Sequence, residues 1–209
     1  MSQEEMRKRN KELVIEKALD YFIKYGIENT KIKDIAKASG LTERSVYRYF
    51  EEKSDIVQAA SYLCWNLTTE SIRADFAKED VSGMTGEQQI RLLLNQYCDY
   101  FLARPGMSLF TLEAELFLFH AGKNAKVINR PPEKYESSRS PMVCAIRKGL
   151  EDGSLRTDID HKELYYNAYD SILGVLQRQA LDAQSSGELD AKTRMSDLCG
   201  IFADAFASR

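Results

Sequence analysis

The stretch TKIKDIAKASGLTERSVYRYF, residues 30–50, decides the fold of the N-terminal part of the chain. Thr30 is a good N-cap, and Ile35 lies in the short apolar stripe of the helix that follows. That helix has room for barely two turns before Gly40, which permits a tight turn because it lacks a β-carbon. Thr42 then caps another short helix. Two short helices joined by a turn of three or four residues with a glycine predict a helix-turn-helix.

The polar residues of this stretch are the candidate DNA contacts. A recognition helix reads base edges mainly through its N-terminal residues, and we expect it to span about residues 42–50. Arg44 is expected to contact a base, in a geometry suited to guanine, or alternatively a phosphate. Glu43 would repel phosphates, but it could accept a hydrogen bond from cytosine or stabilise the helix N-terminus. Lys53 and Thr30 lie at predicted helix starts, which suit a phosphate.

The candidate DNA-binding residues are Thr30, Thr42, Glu43, Arg44, Ser45, Tyr47, Arg48 and Lys53. The alternative is a plain helical hairpin whose charged side chains are simply solvated.

The rest of the chain is also predicted to be helical. With four prolines, eleven glycines and no sustained strand-like alternation, the sequence indicates an all-α fold. Pro131 and Pro132 favour a helix start, while Pro141 either kinks that helix or begins another one with Ser140 as its cap. Further helices are predicted over residues 4–25, 54–76, 87–104, 108–120, 161–183 and 191–207, the last two capped by Asp160 and Asp190.

Composition and charge limit the class of protein. The 209 residues are 44 % hydrophobic and 29 % charged, a balance that can bury a core. No apolar stretch reaches the roughly eighteen residues of a spanning helix. The N-terminus lacks the apolar run of a secretory signal, so we expect a cytoplasmic protein without membrane contact. Residues 1–53 carry 12 basic and 10 acidic side chains, and the remainder carries 17 and 22, for a net charge of −3. This modest asymmetry only locates where DNA could bind without strong repulsion.

Catalytic and metal chemistry find little support in the sequence. The cysteines are far apart within apolar helical patterns, so we interpret them as core packing rather than as a disulfide framework or zinc site. They are Cys64, Cys98, Cys144 and Cys199. The two histidines are isolated, and no Ser-His-Asp order, P-loop, GxGxxG or HExxH motif is present. We therefore expect no metal, no cofactor and no enzymatic activity.

In residues 26–57 the sequence resembles the tetracycline-repressor (TetR) family of transcriptional regulators. The resemblance rests on GIENT at 26–30, IAKASGLTERSVYRYF at 35–50 and EEK at 51–53. The remainder of the chain fits the family only in length and helical layout. The resemblance implies that Tyr47 contacts the DNA backbone, whereas Arg44 stands at a position where many relatives carry glycine.

The resemblance also implies the architecture. We expect a three-helix, helix-turn-helix DNA-binding domain at residues 1–53. A larger helical domain for ligand binding and dimerisation is expected at 54–209, with about nine helices in total.

The resemblance implies a ligand pocket among the middle helices, where aromatic residues of the kind that line such pockets are numerous. Such residues at helical spacing are more often core. Glu113 and Glu115 lie inside the apolar stretch FTLEAELFLFH, where an unpaired charge is costly. Either one of them faces solvent, or one helps to select a polar or cationic ligand. The candidate pocket residues are Trp65, Tyr97, Phe101, Phe110, Glu113, Phe117 and Tyr169.

The resemblance further implies a homodimer built on a four-helix bundle, with two helices from each subunit. Gly174 would let these helices approach closely. The candidate interface residues are Leu164, Ile172, Val175, Leu176, Leu198, Ile201, Phe202 and Phe206.

The function expected from these features is a repressor that binds a palindromic double-stranded DNA operator as a homodimer. Two recognition helices about 34–36 Å apart match successive major grooves, and a small-molecule effector would disturb that spacing. The alternative is a DNA-binding interaction protein whose C-terminal domain docks a protein partner instead of a small ligand.

Overall fold

The structure, a computed structural model, describes residues 2–123, 140–181 and 190–208. Within these ranges the protein is helical, and an isolated antiparallel bridge between Leu155 and Ala207 is the only β-type pairing. The helices are α1 (Gln3–Tyr25), α2 (Ile32–Ala38), α3 (Glu43–Tyr47), α4 (Lys53–Phe76), α5 (Gly86–Leu102), α6 (Pro105–His120), α7 (Pro141–Glu151), α8 (His161–Leu181) and α9 (Ala191–Phe206). The predicted all-α fold is confirmed for this part of the chain.

The described residues form two compact units. The first contains the chain up to Leu67 together with the part of α6 that begins at Leu109, and it holds the helix-turn-helix. The second contains the rest of α4, all of α5, the start of α6, and α7 to α9. That residues 1–53 form a DNA-binding domain of their own stays a prediction, since the first unit extends beyond them.

The first unit is built on the apolar face of α1. Val14 and Phe22 are buried on this face, Ile35 is buried on α2, and Val46 is buried on α3. The ring of Phe22 stacks on that of Phe110 from α6, with centroids 6.0 Å apart. Burial of a large apolar side chain stabilises a fold by about 1.5–3 kcal/mol, so these few residues fix the short helices to α1.

The second unit is organised around α5, which packs against α7, α8 and α9. Its first turn approaches α7 very closely, because a β-carbon on Gly86 would lie 2.1 Å from the amide nitrogen of Gly149. Tyr97 of α5 makes edge contacts with Phe101 at 5.1 Å and with Tyr169 of α8 at 4.5 Å between ring centroids. These rings form the aromatic part of the core of this unit.

The caps of α7 and α9 lie where the sequence predicts them. Ser140 precedes α7 as its N-cap residue, and Asp190 caps α9 through its side chain, which accepts from the amide of Thr193. The helix predicted over residues 108–120 begins earlier, since Pro105 stands at the first position of α6, where proline has no amide to leave unpaired. The predicted helix start at residues 131–132 lies outside the described residues. Among the helices that are described, none is both long and apolar enough to cross a membrane.

Candidate nucleic-acid interface

The turn between α2 and α3 is closed by two backbone hydrogen bonds. The amide of Leu41 donates to the carbonyl of Ala36 at 2.9 Å, and the amide of Gly40 donates to that of Lys37 at 3.1 Å. Together they satisfy carbonyls in the last turn of α2. Gly40 has a φ of 65°, a left-handed conformation in which a β-carbon is strained. The chain therefore reverses within a few residues and starts α3 in a fixed direction.

The start of α3 is held by its own hydroxyl groups. Thr42 is the N-cap, as predicted, and its side-chain oxygen accepts from the amide of Ser45 at 3.2 Å. The hydroxyl oxygens of Thr42 and Ser45 lie 2.9 Å apart, and Arg48 donates to the Ser45 hydroxyl at 3.4 Å. A cap of this kind contributes about 1 kcal/mol to helix stability. Part of the candidate polar surface is therefore already engaged in ordering the helix.

The recognition helix is shorter than the predicted span of about 42–50, because α3 ends at Tyr47. The amides of Tyr49 and Phe50 both donate to the carbonyl of Val46, at 2.8 and 3.1 Å. Two amides sharing one carbonyl mark the tightening that ends a helix. The helix therefore ends before the predicted end at about residue 50, although the apolar spacing of Val46 and Phe50 continues to that residue.

The outward face of α3 carries charge and one exposed aromatic side chain. Tyr47 is 50 % exposed, and Glu43, Arg44 and Arg48 are also exposed, while Val46 behind them is fully buried. Two guanidinium groups, a phenol and a carboxylate therefore face solvent within six residues. Guanidinium groups pair with guanine edges or phosphates, and hydroxyl groups contact phosphates. The structure thus exposes most of the side chains that the sequence predicts as contacts in this region, whereas Ser45 is half-buried.

A groove of about 870 Å³ lies between α1 and the end of α3. Sequence reasoning missed its contribution from α1, where Arg7 and Asn10 lie one turn apart on one helix face. The side-chain amide of Asn10 donates to the hydroxyl oxygen of Tyr49 at 3.4 Å. The groove is lined by Gln3, Glu4, Met6, Arg7, Asn10, Arg48 and Tyr49. The helical spacing of residues 3, 7 and 10 was a signal for this face.

Thr30 does not occupy the position predicted for it. The N-cap residue of α2 is Lys31, which makes no side-chain capping bond, so the predicted N-cap role of Thr30 is wrong. Thr30 is only 2 % exposed, and its hydroxyl donates to the carbonyl of Gly26 at 2.8 Å. This bond ties the start of the segment to the end of α1. The hydroxyl therefore faces the interior in this structure.

Lys53 stands at the start of α4, as predicted, but its ammonium group is engaged inside the unit. It donates to the carbonyl oxygen of Ile27 and lies 5.5 Å from the ring centroid of Phe117. Burial lowers the pKa of Lys53, and the nearby carboxylate of Glu28 opposes that shift. A phosphate contact would require the ammonium group to leave the Ile27 carbonyl.

Glu113 of α6 holds the same turn from its other side. Its carboxylate Oε2 accepts a hydrogen bond from the amide of Ile27 at 2.8 Å. Gly26 has a φ of 81°, and a β-carbon on it would lie 3.4 Å from both carboxylate oxygens of Glu113. The peptide groups on both sides of Ile27 are therefore fixed by side chains from α6 and α4. We call this arrangement of Gly26, Ile27, Lys53 and Glu113 the turn clasp.

An ion pair joins the first turn of α4 to Lys123, which follows α6. The ammonium of Lys123 lies 2.9 Å from the carboxylate of Asp55 and 3.9 Å from that of Glu52. The hydrogen bond from Lys123 lowers the pKa of Asp55, and the same bond raises the pKa of Lys123. The first turn of α4 is thus bound to the residues that follow α6 by a contact that needs both charges.

The candidate ligand residues separate into packed and pocket-lining groups. The aromatic members at positions 65, 97, 101 and 110 are 1 % exposed and that at 169 is 6 % exposed, so the structure uses them as core. Glu113 and Phe117 line an open pocket of about 240 Å³ together with residues 26–29, Leu116 and His120. That a ligand contacts these residues stays a prediction, and the Glu113 carboxylate already has a backbone partner.

The candidate dimer residues also separate by burial. Ile172, Leu176 and Phe206 are at most 2 % exposed within the single chain, so they are packed in its own core. The sequence pattern assigned them to an interface because core and interface residues share the same helical spacing. Ile201 is 63 % exposed, and four other candidates are partly exposed on α8 and α9. These four are Leu164, Val175, Leu198 and Phe202.

The cysteines are also divided by the structure. Cys64, Cys98 and Cys199 are buried, as the packing interpretation predicts, whereas Cys144 on α7 is exposed and does not fit that prediction.

Comparison with known proteins relates the N-terminal segment to a family and the whole chain to a fold. Residues 14–60 match the family described as "Bacterial regulatory proteins, tetR family". Comparison with curated proteins gives no match.

Several solved structures are similar over nearly the whole chain. The fatty acid degradation regulator FadR from Bacillus halodurans is 16 % identical, with a TM-score of 0.67, over 92 % of this chain and 94 % of that one. A TetR family transcription regulator from Marinobacter aquaeolei VT8 is 19 % identical, with a TM-score of 0.63, over 100 % of both chains. RolR, solved with the ligand resorcinol, is 14 % identical, with a TM-score of 0.64, over 98 % of this chain and 90 % of that one. At these identities the likeness shows the fold and carries over no ligand.

Proposed function

We propose that the chain is a DNA-binding transcription regulator of the tetR family that represses transcription as a homodimer on a palindromic operator and is released by a small-molecule ligand. The observation that carries the DNA-binding surface is the outward face of α3. Arg44, Tyr47 and Arg48 are exposed there, while Val46 and Phe50 behind them are buried. Since the buried pair fixes the helix rotation, the exposed side chains have a defined direction. A repressor of this kind acts on DNA, so we place the protein in the cytoplasm.

The proposed dimer surface is the outer face of α8 and α9. Ile201 is 63 % exposed, and Leu198 and Phe202 near it on α9 are partly exposed, so apolar side chains cluster on this face. Gly174 on α8 is exposed and has nothing near the position of its β-carbon, so a partner helix could approach closely there. An interface with two-fold symmetry would place these surfaces against themselves, which gives the paired recognition helices of a palindrome reader.

The proposed release depends on the turn clasp. The turn held by Glu113 and Lys53 connects α1 to α2, and α2 orients α3. A shift of α6 that broke the bond between Glu113 and Ile27 would free the turn. The resorcinol bound by RolR makes a small aromatic compound a reasonable first class of ligand to screen.

A second candidate for the effector is a protein partner. Leu116 and Phe119 on α6 are 52 % and 72 % exposed, and they lie on one side of the helix, three residues apart. Exposed apolar side chains of this kind also occur at protein-binding surfaces.

The test is a fluorescence-anisotropy titration of the purified protein against DNA from around its own gene, at two salt concentrations. Arg44→Ala is expected to weaken operator binding by about 1–3 kcal/mol if it contacts a base. A phosphate contact would instead lower the salt slope by about 1 and weaken random DNA equally. Arg73→Ala removes an exposed arginine from the second unit and is the matched control. If Arg44→Ala and Tyr47→Ala both bind DNA as wild type does, the proposed surface is wrong.

A further inference from the structure

Two thiols meet in the core of the second unit. Cys98 on α5 and Cys199 on α9 place their sulfur atoms 3.0 Å apart, although they are 101 residues apart in the chain. Both are free thiols, and they are 2 % and 0 % exposed. A disulfide has a sulfur–sulfur distance of about 2.05 Å, so a movement of about 1 Å separates this pair from a bond.

The approach of the two sulfur atoms is fixed by the packing of the helices. Arg91, about two turns before Cys98 on α5, forms an ion pair with Asp204, which follows Cys199 on α9. The helices therefore run antiparallel, and two separate contacts set their register. A β-carbon on Gly200 would lie 3.5 Å from the guanidinium of Arg91, which confirms that α9 lies directly against α5 here. The thiols are neighbours because of the register and not only because of one side-chain rotamer.

We propose that Cys98 and Cys199 are a redox modification site, at which a small-molecule disulfide such as glutathione disulfide converts the two thiols into an intrachain disulfide. One cysteine thiolate attacks the small disulfide, which forms a mixed disulfide and releases one thiol of the reagent. The second cysteine attacks the protein sulfur of that mixed disulfide and releases the second thiol. Two electrons pass from the cysteines to the reagent, and the two cysteine protons end on the two released thiols.

The location of the pair makes this exchange slow in the folded protein. The adjacent Cys199 sulfur and burial both raise the pKa of the Cys98 thiol well above its ordinary value, so little reactive thiolate is present. The reaction therefore proceeds when α9 separates from α5 or while the chain folds. When α9 then packs on α5, the second sulfur comes next to the mixed disulfide, and ring closure is favoured over release of the mixed disulfide.

Closure would fasten α9 to α5. Cys199 is on the buried side of α9, whereas Ile201 is on the exposed side that we assign to the dimer. The oxidised form would then hold the dimer surface in a fixed position. This consequence rests on the proposed dimer, but formation of the disulfide does not.

The test counts thiols in the full-length protein. The reduced chain is refolded in a series of glutathione and glutathione disulfide mixtures, quenched in acid, denatured and alkylated with N-ethylmaleimide. Two of the four thiols are expected to become resistant to alkylation, with one linked peptide pair containing Cys98 and Cys199, and dithiothreitol should restore all four. Cys64→Ser is the matched control and should keep the linked pair, whereas Cys98→Ser should lose it.

Two outcomes would overturn the proposal. One is a wild-type protein with four reactive thiols at the most oxidising mixture. The other is a dominant linked peptide that contains Cys64 or Cys144. Since the wild-type measurement decides, a variant that fails to fold does not obscure the result. DNA binding is measured separately, so failure of the disulfide leaves the proposed function untouched.

Discussion

Replacement of Glu113 tests whether its carboxylate stabilises the turn clasp or serves to select a ligand. In Glu113→Ala the amide of Ile27, a residue that is 1 % exposed, loses its acceptor at 2.8 Å. Leaving a buried donor unpaired costs about 1–3 kcal/mol, so we expect a loss near 2 kcal/mol. For a chain of this size each kcal/mol corresponds to about 2–4 °C in Tm, which gives a decrease of about 4–8 °C. Thermal unfolding followed by circular dichroism measures it.

Two further variants separate the hydrogen bond from the charge. Glu113→Gln keeps a side-chain carbonyl oxygen as an acceptor, so it should recover more than half of the stability lost in Glu113→Ala. Glu16→Ala removes an exposed glutamate from α1 and should change the free energy of unfolding by less than about 0.5 kcal/mol. If Glu113→Ala unfolds at the wild-type temperature, the turn clasp does not stabilise this turn, and a role in ligand selection becomes the better interpretation.

Single substitutions at Gly40, Ile201 and Asp55 test a turn, a surface and an ion pair. Gly40→Ala should lower the free energy of unfolding, measured in urea, by about 1–2 kcal/mol. Because φ is 65° and no atom lies within 4 Å of the added carbon, this loss comes from backbone strain alone. Gly83→Ala is the control. Ile201→Glu should weaken self-association in sedimentation equilibrium and leave the helix content unchanged. The control Ile172→Ala changes a core residue and should lower the free energy of unfolding by about 2–5 kcal/mol. Equal dimer affinity for Ile201→Glu and wild type would exclude the proposed surface. The bond to Lys123 lowers the pKa of Asp55, so it stabilises the fold above the ordinary carboxyl pKa, and this stabilisation is lost as the pH falls through the lowered pKa. The Tm of Asp55→Asn should therefore decrease less than that of wild type between about pH 6 and pH 3. Equal decreases in Tm would show that the ion pair is not coupled to folding.

One part of the candidate DNA-binding surface is determined by neighbouring residues in the sequence, and another part depends on residues far away in the chain. The exposed positions of Arg44 and Tyr47 follow from the buried spacing of Val46 and Phe50, which the sequence displays directly. The groove beside α3 depends on how α1 crosses it, and no spacing within residues 30–50 carries that information.

The sequence by itself determined the helix-turn-helix and the all-α fold, because their signals are local. The cap at Thr42 and the left-handed turn at Gly40 each depend on residues at most five positions away. Only the tertiary structure decided the roles of Lys53 and Glu113, whose partner, Ile27, lies 26 and 86 positions away. A charged side chain looks the same in sequence whether it faces a phosphate or a backbone carbonyl, and only the packing of α4 and α6 against the turn distinguishes them.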